Sequence, residues 1–364
     1  MKVLNFGSLN YDYTYSLDHI VAPGETITST KLEVFPGGKG LNQSISLARA
    51  GAQVCHAGMV GPDGGMLIDT CEQNGVDHQF VKTVEERTGN AIIQVSAKGQ
   101  NSIVLFAGAN RQNDRAFVDE VLSHFGEGDL LLLQNEINLV DYLIDRGFEK
   151  GMVIALNPSP FDDEMRKCDL SKVTIFLMNE VEGEQITGEK EPEKILTAFR
   201  KQYPQSRVVL TLGKAGVVYQ DAQQTCRHGI YKVPVVDTTA AGDTFTGYFL
   251  AGVLSDLPMD ETLRLASVAS SIAVSKKGAT SSIPYRADVL AAKLDHEKSA
   301  PEKHNRARVP IMYTGALSLF KIELVGKNKI CDYKTGDDTD YCYNQTGEHN
   351  LMKDPSALHG NGSV

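Results

Sequence analysis

The stretch DTTAAGDTFTGYFLAG, residues 237–252, places small residues around one carboxylate, Asp243, just before an apolar helical pattern. Small side chains let the main chain approach a ligand closely, and the first amides of a helix have no acceptor within it. The amides of residues 240–243 could therefore bind an anion at the start of a helix. Asp243 lies in the first turn, where its carboxylate could take a proton from a substrate hydroxyl or simply cap the helix.

A second glycine-rich stretch, PGGKGLNQS at residues 36–44, also precedes a predicted helix. It is not a P-loop, because Lys39 is followed by Gly40 instead of Ser or Thr, and Glu33 stands where that pattern requires glycine. The loop could still approach a small ligand through its backbone. Asn42 would then offer its amide at the start of the helix.

Two further polar pairs follow predicted strands. NFGSLNYD is predicted to end the first strand with Asn10 and Asp12, and ligands of parallel α/β sheets bind beyond the carboxyl ends of strands. Their paired polar atoms suit sugar hydroxyls, with a simple turn as the alternative. NEVE follows the strand VTIFLM and puts Asn179 and Glu182 on one helical face, where their oxygens suit Mg²⁺; a solvated acidic turn is the alternative.

Most of the chain alternates short apolar runs with helical patterns, and these elements must position the polar residues. VLNFG, DLLLLQ, MVIALN, VTIFLMN and RVVLTLG are predicted strands, whereas NQSISLARAGA and VDYLIDRGFEKG are predicted helices. Continuous apolar strands separated by helices indicate an α/β fold with a largely parallel sheet covered on both faces. Residues 13–35 and a hairpin at about 89–108 interrupt this pattern. They could form a small sheet that covers a ligand, or an ordinary edge hairpin.

The end of the chain has a different character. From residue 297 to 364 the alternation is lost, and Lys, Asn, Asp, Gly and Tyr are frequent. VPIMYTGALSLFKIELVG could form a strand or two, whereas DYKTGDDTDYCYNQTGEHN has no periodicity. We therefore predict a main domain at 1–296 and a C-terminal appendage or disordered tail at 297–364.

Composition argues against several classes of protein. The formal charge of −10 argues against a nucleic-acid or anionic-membrane surface. The six cysteines are scattered, and their spacing suggests neither a zinc site nor a disulfide framework. No segment is long and apolar enough for a signal peptide or a membrane span. We expect a cytoplasmic protein with reduced cysteines and with neither nucleic-acid nor membrane partners.

Six motifs occur together in an order that resembles the ribokinase-like, or PfkB, carbohydrate kinases: GSLNYD, GGKGLNQ, NPSP, NEVE, TLGKAG and DTTAAGDTFTGYFLAG. The resemblance runs from Met1 to about Leu294, and the DTxxAGD and GGKGxN signatures are specific in combination. It implies a three-layer α/β sandwich with a mostly parallel, twisted sheet and a small β-sheet lid. In this family the lid often also joins two subunits, so a homodimer is implied.

The resemblance also implies roles for individual residues. Asp243 would be the general base, and its amide with those of Ala240, Ala241 and Gly242 would stabilise charge on the transferred phosphoryl group. The sugar would lie among Asn10, Asp12, Gly38, Lys39, Asn42, Glu136 and Asp243. ATP would lie near Asn179, Thr211, Gly213, Gly216, Gly242 and Ser267. Mg²⁺ would lie near Asn179 and Glu182, and K⁺ would be held by Asp237, Thr239, Ala273, Lys276, Gly278 and Ser282.

The implied activity is that of an ATP-dependent sugar kinase acting on a primary hydroxyl, with D-ribose converted to ribose 5-phosphate as the first expectation. Two alternatives remain open. The substrate could be another sugar or a nucleoside, such as adenosine or inosine, because the shared motifs mostly handle phosphate. A non-catalytic sugar-binding module on the same fold is the second alternative, although Asp243 and Gly242 are both present.

Overall fold

The computed structural model describes residues 1–297, 341–343 and 349–351. In chain order, the strands in these residues are β1 (Val3–Phe6), β2 (Asn10–Leu17), β3 (Lys31–Gly37), β4 (Val54–Val60), β5 (Asp77–Thr83), β6 (Gly89–Ser96), β7 (Asn101–Phe106), β8 (Leu130–Gln134), β9 (Val153–Asn157), β10 (Ile175–Asn179), β11 (Arg207–Thr211), β12 (Val217–Gln220), β13 (Thr225–His228), β14 (Ile230–Tyr231), β15 (His296–Glu297), β16 (Tyr341–Tyr343) and β17 (His349–Leu351). The helices are α1 (Lys39–Arg49), α2 (Gly65–Gln73), α3 (Arg115–Leu122), α4 (Val140–Glu149), α5 (Asp163–Arg166), α6 (Glu180–Thr187), α7 (Pro192–Gln202), α8 (Ala241–Leu254), α9 (Met259–Val274) and α10 (Arg286–Ala291).

The predicted buried strands form a nine-stranded sheet in the order β13-β12-β11-β10-β9-β8-β1-β4-β5. Neighbouring strands run parallel, except that β12 is antiparallel to β11 and β13. Leu130 and Leu132 of β8 join one hydrophobic cluster with α1, α8 and α9, whereas Leu131 and Leu133 join another with α3, α4 and α7. Both faces of the sheet are therefore covered by helices. The predicted three-layer α/β sandwich is confirmed.

A separate four-stranded sheet has the order β3-β2-β6-β7, and we call it the lid. Strand β2 pairs antiparallel with β3 and parallel with β6, and β6 and β7 form the predicted hairpin. The structure thus contains the small sheet expected from residues 13–35 and 89–108. Its strands begin earlier than predicted, at Asn10, and its first pair extends to Gly37.

The prediction that Asn10 and Asp12 end the first strand is wrong. Strand β1 ends at Phe6, and both residues belong to β2 of the lid, so they lie in a strand and not in a turn. Residues 7–9, between β1 and β2, pack closely against the first turn of α1. A Cβ on Gly40 would lie 2.3 Å from the Ser8 amide nitrogen, so only glycine allows this approach.

Helices α1 and α8 are in close contact, which brings the two glycine-rich motifs together. A Cβ on Gly247 would lie 2.2 Å from Ser46 Oγ. The same hydroxyl donates a hydrogen bond to the Thr244 carbonyl oxygen over 2.9 Å. The small residue at 247 is therefore what allows the side chains of α1 to reach the first turn of α8.

The chain divides into two units, Met1–Glu302 and Lys303–Val364. In the second unit, β16 and β17 pair antiparallel, with Tyr341 opposite Leu351. The strands predicted in VPIMYTGALSLFKIELVG lie outside the described residues, and the appendage or disordered tail at 297–364 stays a prediction. No helix in the described part of the chain is long and apolar enough to cross a membrane.

Candidate active site

Asp243 is held by two amide side chains from consecutive residues of α1. Asn42 Nδ2 donates to Asp243 Oδ2 over 3.0 Å, and Gln43 Nε2 donates to Oδ1 over 2.8 Å. Asp243 is only 7% exposed. Because each carboxylate oxygen has two lone pairs, each can still accept a hydrogen bond from a ligand hydroxyl.

The first turn of α8 has the shape of an anion site. Ala240 adopts a left-handed conformation with φ of 59°, and its carbonyl accepts the first helical hydrogen bond from Thr244. The Ala241 amide donates to the Thr238 carbonyl over 3.3 Å. Among the described residues, the amides of Ala240, Gly242 and Asp243 have no protein acceptor, as expected at a helix start.

These amides line a cavity of about 250 Å³. A Cβ on Gly242 would meet no atom within 4 Å beyond its chain neighbours and its own helix backbone, so the space that a side chain at this position would enter is open. The cavity is lined by Lys39, Asn157, Ser159, Leu177, Met178, Asn179, Glu182, Val209, Thr211, Thr238, Ala240, Ala241, Gly242, Asp243, Phe245 and Thr246. The predicted base and the predicted anion site therefore border the same space.

Glu136 anchors the loop before α1. Its Oε2 accepts a hydrogen bond from the Lys39 amide over 2.9 Å and another from Ser8 Oγ. Burial raises the pKa of Glu136, although the Lys39 ammonium opposes this rise. Burial lowers the pKa of Lys39, but the charges of Asp243, Glu136 and Glu182 outweigh it and the pKa is raised. Lys39 is therefore a stable cation at the cavity wall.

Asp12 is a buried carboxylate without a hydrogen-bond partner among the described residues. It is 9% exposed, and its pKa is raised to about 7 by burial and by the charges of Glu136 and Asp243. A Cβ on Gly37 would lie 2.1 Å from Asp12 Oδ2, so the glycine makes room for this carboxylate. Its oxygens remain free to accept hydrogen bonds from a ligand.

Asn10 of β2 and Asn42 of α1 are the two asparagines among the residues predicted to surround the sugar. Asn10 Oδ1 accepts a hydrogen bond from Asn110 Nδ2 over 2.7 Å, which fixes the direction of the Asn10 amide. Asn42 Oδ1 is buried and has no hydrogen-bond partner among the described residues. Because buried acceptors are almost always satisfied, this oxygen indicates a donor that is supplied by a ligand or water.

Asn179 and Glu182 form a capping box at the start of α6. Asn179 Oδ1 accepts from the amides of Val181 and Glu182 over 2.7 and 3.2 Å, and Glu182 Oε2 accepts from the Asn179 amide over 2.8 Å. The predicted pair thus lies on one face of a helical turn and on the cavity wall, but it caps the helix. The second carboxylate oxygen of Glu182 is not used by the cap.

The residues predicted to bind the nucleotide lie in different surroundings. Thr211 ends β11 at the cavity wall. Gly213 and Gly216 lie in the tight turn between β11 and β12, where a Cβ on Gly216 would lie 2.1 Å from the His228 carbonyl oxygen. Ser267 is 8% exposed on α9 and does not line the cavity described above.

Two of the other residues predicted to hold K⁺, Thr239 and Gly278, are hydrogen-bonded to Asp237. Its Oδ1 accepts from the amide and the hydroxyl of Thr239, over 2.9 and 2.6 Å, and its Oδ2 accepts from the Gly278 amide over 3.0 Å. The other predicted positions have different partners: Ala273 O, in the last turn of α9, accepts from the Lys276 amide over 3.0 Å, and Ser282 Oγ donates to Ala279 O over 2.8 Å. The described residues contain no group of three or more His, Cys, Asp or Glu side chains that could hold a metal ion.

A family model described as pfkB family carbohydrate kinase matches residues 1–286. The chain belongs to this family. The match confirms the sequence-based prediction of an ATP-dependent carbohydrate kinase and of the family resemblance. The lid, the glycine-rich loop and the start of α8 all lie within the matched residues.

Individual members of the pfkB family are similar to this chain over most of its length. Ribokinase of Haemophilus influenzae is 36% identical over 297 residues, covering 78% of this chain and 95% of that protein. The crystal structure of a Cryptococcus neoformans ribokinase in complex with ADP has a TM-score of 0.70 at 34% identity, covering 79% of this chain and 98% of that one. Arabidopsis thaliana ribokinase complexed with ribose and ATP has a TM-score of 0.70 at 29% identity, covering 79% and 97%.

Several polar residues at the site of this pfkB-family kinase were not identified from the sequence. Gln43 contacts Asp243 directly, and Ser8 contacts Glu136. Asn157, Ser159 and Thr238 line the cavity, and Asn157 and Ser159 belong to the NPSP motif. Gln43 lies in the motif GGKGLNQ and Ser8 in GSLNYD. The glycines, the lysine and the carboxylate beside them have more specific chemistry, so the sequence pattern indicates those neighbours and not Gln43 or Ser8.

Proposed function

We propose that the chain is an ATP-dependent ribokinase, which transfers the γ-phosphoryl group of ATP to the primary hydroxyl of D-ribose and forms ribose 5-phosphate. The proposal rests mainly on one observation: the Asp243 carboxylate and the unpaired amides of residues 240, 242 and 243 border one cavity. Its support for ribose comes from the relatives, because Haemophilus influenzae ribokinase and the ribose- and ATP-bound Arabidopsis thaliana ribokinase match this chain almost over their whole lengths.

The sugar would bind where acceptors lack partners. Asp12 and Asn42 Oδ1 offer unused acceptors, and ribose hydroxyls are donors of matching chemistry. The Lys39 amide donates a hydrogen bond to Glu136 Oε2. Both residues would complete the pocket with Asn10 and Gly38. A neutral polyol suits this arrangement, because it supplies hydrogen-bond donors without adding another negative charge beside three carboxylates.

Asp243 would act as the general base. Its carboxylate would take the proton from the primary hydroxyl as that oxygen bonds to the γ-phosphorus and the bond from phosphorus to the bridging oxygen of ADP breaks. The unpaired amides of the α8 start would stabilise negative charge on the transferred group, and the Lys39 ammonium would add to this effect. This chemistry depends on alignment and charge neutralisation, which a rigid helix start supplies.

The nucleotide would lie along residues 211–216, with its phosphates toward Asn179 and Gly242. Mg²⁺ would supply neutralisation of the phosphate charge when bound. Glu182 fits this role, because one of its oxygens is not used by the capping box and because Mg²⁺ retains several waters and binds through few carboxylates. Asn179 Oδ1 already accepts two amide hydrogen bonds, so it would orient Glu182 and not bind the cation directly. K⁺ at the Asp237 loop would hold the segment before α8 in place.

We also infer a homodimer that forms through the lid. Val34, Ile92 and Val104 are 38%, 43% and 59% exposed. Tyr13 pairs with Val34 and with Ile92, and Ile92 pairs with Val104, so these side chains form one row on the same face of the sheet. A second copy of the lid would cover such an apolar row.

The decisive experiment is the Asp243→Asn substitution, with ADP release measured over a panel of ribose, other sugars and nucleosides. The variant should bind ribose in calorimetry but lose about 10² to 10⁴ in kcat, as is typical for removal of a general base. Turnover within tenfold of the wild type would remove Asp243 from this role. A wild-type preference for another sugar or a nucleoside would replace ribose as the substrate, and sugar binding without ADP release would favour a binding module.

A further inference from the structure

Buried amide side chains connect Asp243 to the middle of the main sheet. Gln43 Nε2 donates to Asp243 Oδ1, and Gln43 Oε1 accepts from Gln134 Nε2 over 2.8 Å. The same nitrogen of Gln134 donates to Asn5 Oδ1 over 2.9 Å. Gln43, Gln134 and Asn5 have no exposed surface, so water cannot replace these hydrogen bonds. Gln134 contacts neither Asp243 nor the cavity.

The network continues from Asn5 to a histidine in β4. Asn5 Nδ2 donates to the Gly40 carbonyl over 2.7 Å and to Ser44 Oγ over 2.8 Å. Ser44 Oγ lies 2.8 Å from His56 Nδ1, and His56 Nε2 lies 3.2 Å from the Gly7 carbonyl oxygen. His56 is completely buried. The network therefore fixes α1 against β1, β4 and β8.

The donors and acceptors can be assigned along the whole network. The Gly7 carbonyl can only accept, so His56 Nε2 carries the proton. Burial lowers the pKa of His56 to about 4, so the ring is neutral near pH 7 and its Nδ1 accepts from Ser44. The Ser44 hydrogen is thus used, and Ser44 Oγ accepts from Asn5. This leaves Asn5 Oδ1 to accept from Gln134.

The same logic gives the Gln43 amide one orientation. If it turned over, Gln43 Oε1 would face the Asp243 carboxylate and Gln43 Nε2 would face the Gln134 nitrogen. Both contacts would pair like with like in a site without water, which is costly for buried polar groups. Gln134 thus determines that Gln43 presents an N–H to Asp243.

We propose that Gln43 is a positioning residue for Asp243, and that Gln134 locks the Gln43 amide so that the carboxylate is held toward the acceptor hydroxyl. This inference rests on the proposed base role of Asp243. The charged groups that face Asp243 from neighbouring elements are the carboxylates of Asp12 and Glu136 and the Lys39 ammonium. The two amide donors from α1 are its hydrogen-bond partners among the described side chains.

The test compares kcat and its pH profile for ribose phosphorylation in Gln43→Met and Gln134→Met. Both substitutions keep the length of the side chain and remove the amide. Loss of one hydrogen bond to a charged acceptor should lower kcat about 10- to 100-fold in Gln43→Met, and the acid limb of the profile should move to higher pH. Gln134→Met should shift the same limb in the same direction by a smaller amount. The KM for ribose should change less than kcat in both.

Ser46→Ala is the matched control. It removes a hydrogen bond of similar burial between the same two helices, but no donor to Asp243. It should lower the melting temperature and leave the acid limb unchanged. The inference is overturned if both methionine variants keep the wild-type acid limb, whether kcat stays the same or falls. If Asp243→Asn retains turnover, the base role itself is lost. If only Asp243→Asn is inactive, the proposed function stands and the positioning role does not.

Discussion

Replacing Asp12 by Asn should stabilise the protein above neutral pH while weakening its binding of sugar. The Asp12 carboxylate is buried, accepts no hydrogen bond among the described residues and lies near the charges of Glu136 and Asp243. Burying a charge without a partner is unfavourable. Asparagine keeps the size of the side chain and removes the charge, so the substitution isolates the electrostatic contribution.

The sign follows from the shift of the Asp12 pKa from its usual 3.8 to about 7. Below pH 4 the group is protonated in both the folded and the unfolded states and costs nothing. Between pH 4 and pH 7 the unfolded chain loses the proton first, so the free energy of unfolding falls as the pH rises. Above pH 7 the full difference applies, which is at most about 4 kcal/mol at 1.36 kcal/mol per pH unit. Roughly 1.6 kcal/mol of this is already present at pH 5.

The assay is urea denaturation of the wild type and of Asp12→Asn at pH 5 and pH 8. The stability advantage of the variant should grow by about 2.5 kcal/mol between the two pH values, as an upper estimate. Asp18→Asn is the control, because the Asp18 side chain lies just beyond the same strand and is 93% exposed. An Asp12→Asn advantage that is equal at both pH values, or that reverses at pH 8, would refute the idea of an unpaired buried charge. The KM for ribose should rise about tenfold or more.

Three further substitutions test other parts of the site. Gly242→Ala adds a methyl group in the open space beside the proposed anion site. The kcat should fall about 10²- to 10³-fold without a lower melting temperature. The control is Gly65→Ala at the equally open start of α2, which should change neither kcat nor the melting temperature. Glu182→Gln keeps an acceptor for the Asn179 amide and removes the charge, so the Mg²⁺ concentration for half-maximal rate should rise about tenfold. The control is Glu180→Gln at an exposed position, which should leave this concentration unchanged. Val104→Glu puts a charge in the apolar row of the lid and should shift the protein toward the monomer in sedimentation. The control, Lys98→Glu in the hairpin turn, should not change the sedimentation. A wild type that sediments as a monomer would contradict the proposed dimer.

Local sequence patterns were sufficient to predict the layers of the fold. DLLLLQ has apolar side chains on both sides, and both sides of β8 are covered by helices. The hairpin after Gly89 was predictable because a glycine-containing turn separates two strands rich in β-branched residues. The start of β2 was not, because whether Gly7–Leu9 continues a strand depends on the distant Gly40, which permits close packing there.

The NEVE motif shows how one pattern can serve two purposes. Asn followed three residues later by Glu is a signature of a helix start, and the structure contains that capping box. The same spacing also led to the predicted Mg²⁺ site. Capping uses Asn179 Oδ1 and one oxygen of Glu182, which leaves the other Glu182 oxygen for a cation. Asn179 Oδ1 therefore cannot both cap the helix and bind Mg²⁺. Glu182 can do both, because it caps the helix with one oxygen and keeps the other for a cation.

The buried amides could not be predicted, because their role depends on partners far away in sequence. Gln134 ends an apolar strand and Gln43 lies in a helix 91 positions earlier, yet their side chains meet at 2.8 Å. Burying either amide without a hydrogen-bond partner would be unfavourable. Which partner it finds depends on the folded structure, so the sequence alone gives no reason to pair these two residues. Asp12 presents the opposite arrangement, since it is buried and lacks a partner until a ligand binds. The site thus combines a hydrogen-bonded network behind Asp243, in which Gln134 Oε1 is the one buried atom of Asn5, Gln43 and Gln134 without a partner among the described residues, with unpaired groups in front of it. Because the network holds the proposed base while the unpaired groups are available to the ligand, substitutions in the network should lower turnover, whereas Asp12→Asn should raise stability as sugar binding weakens.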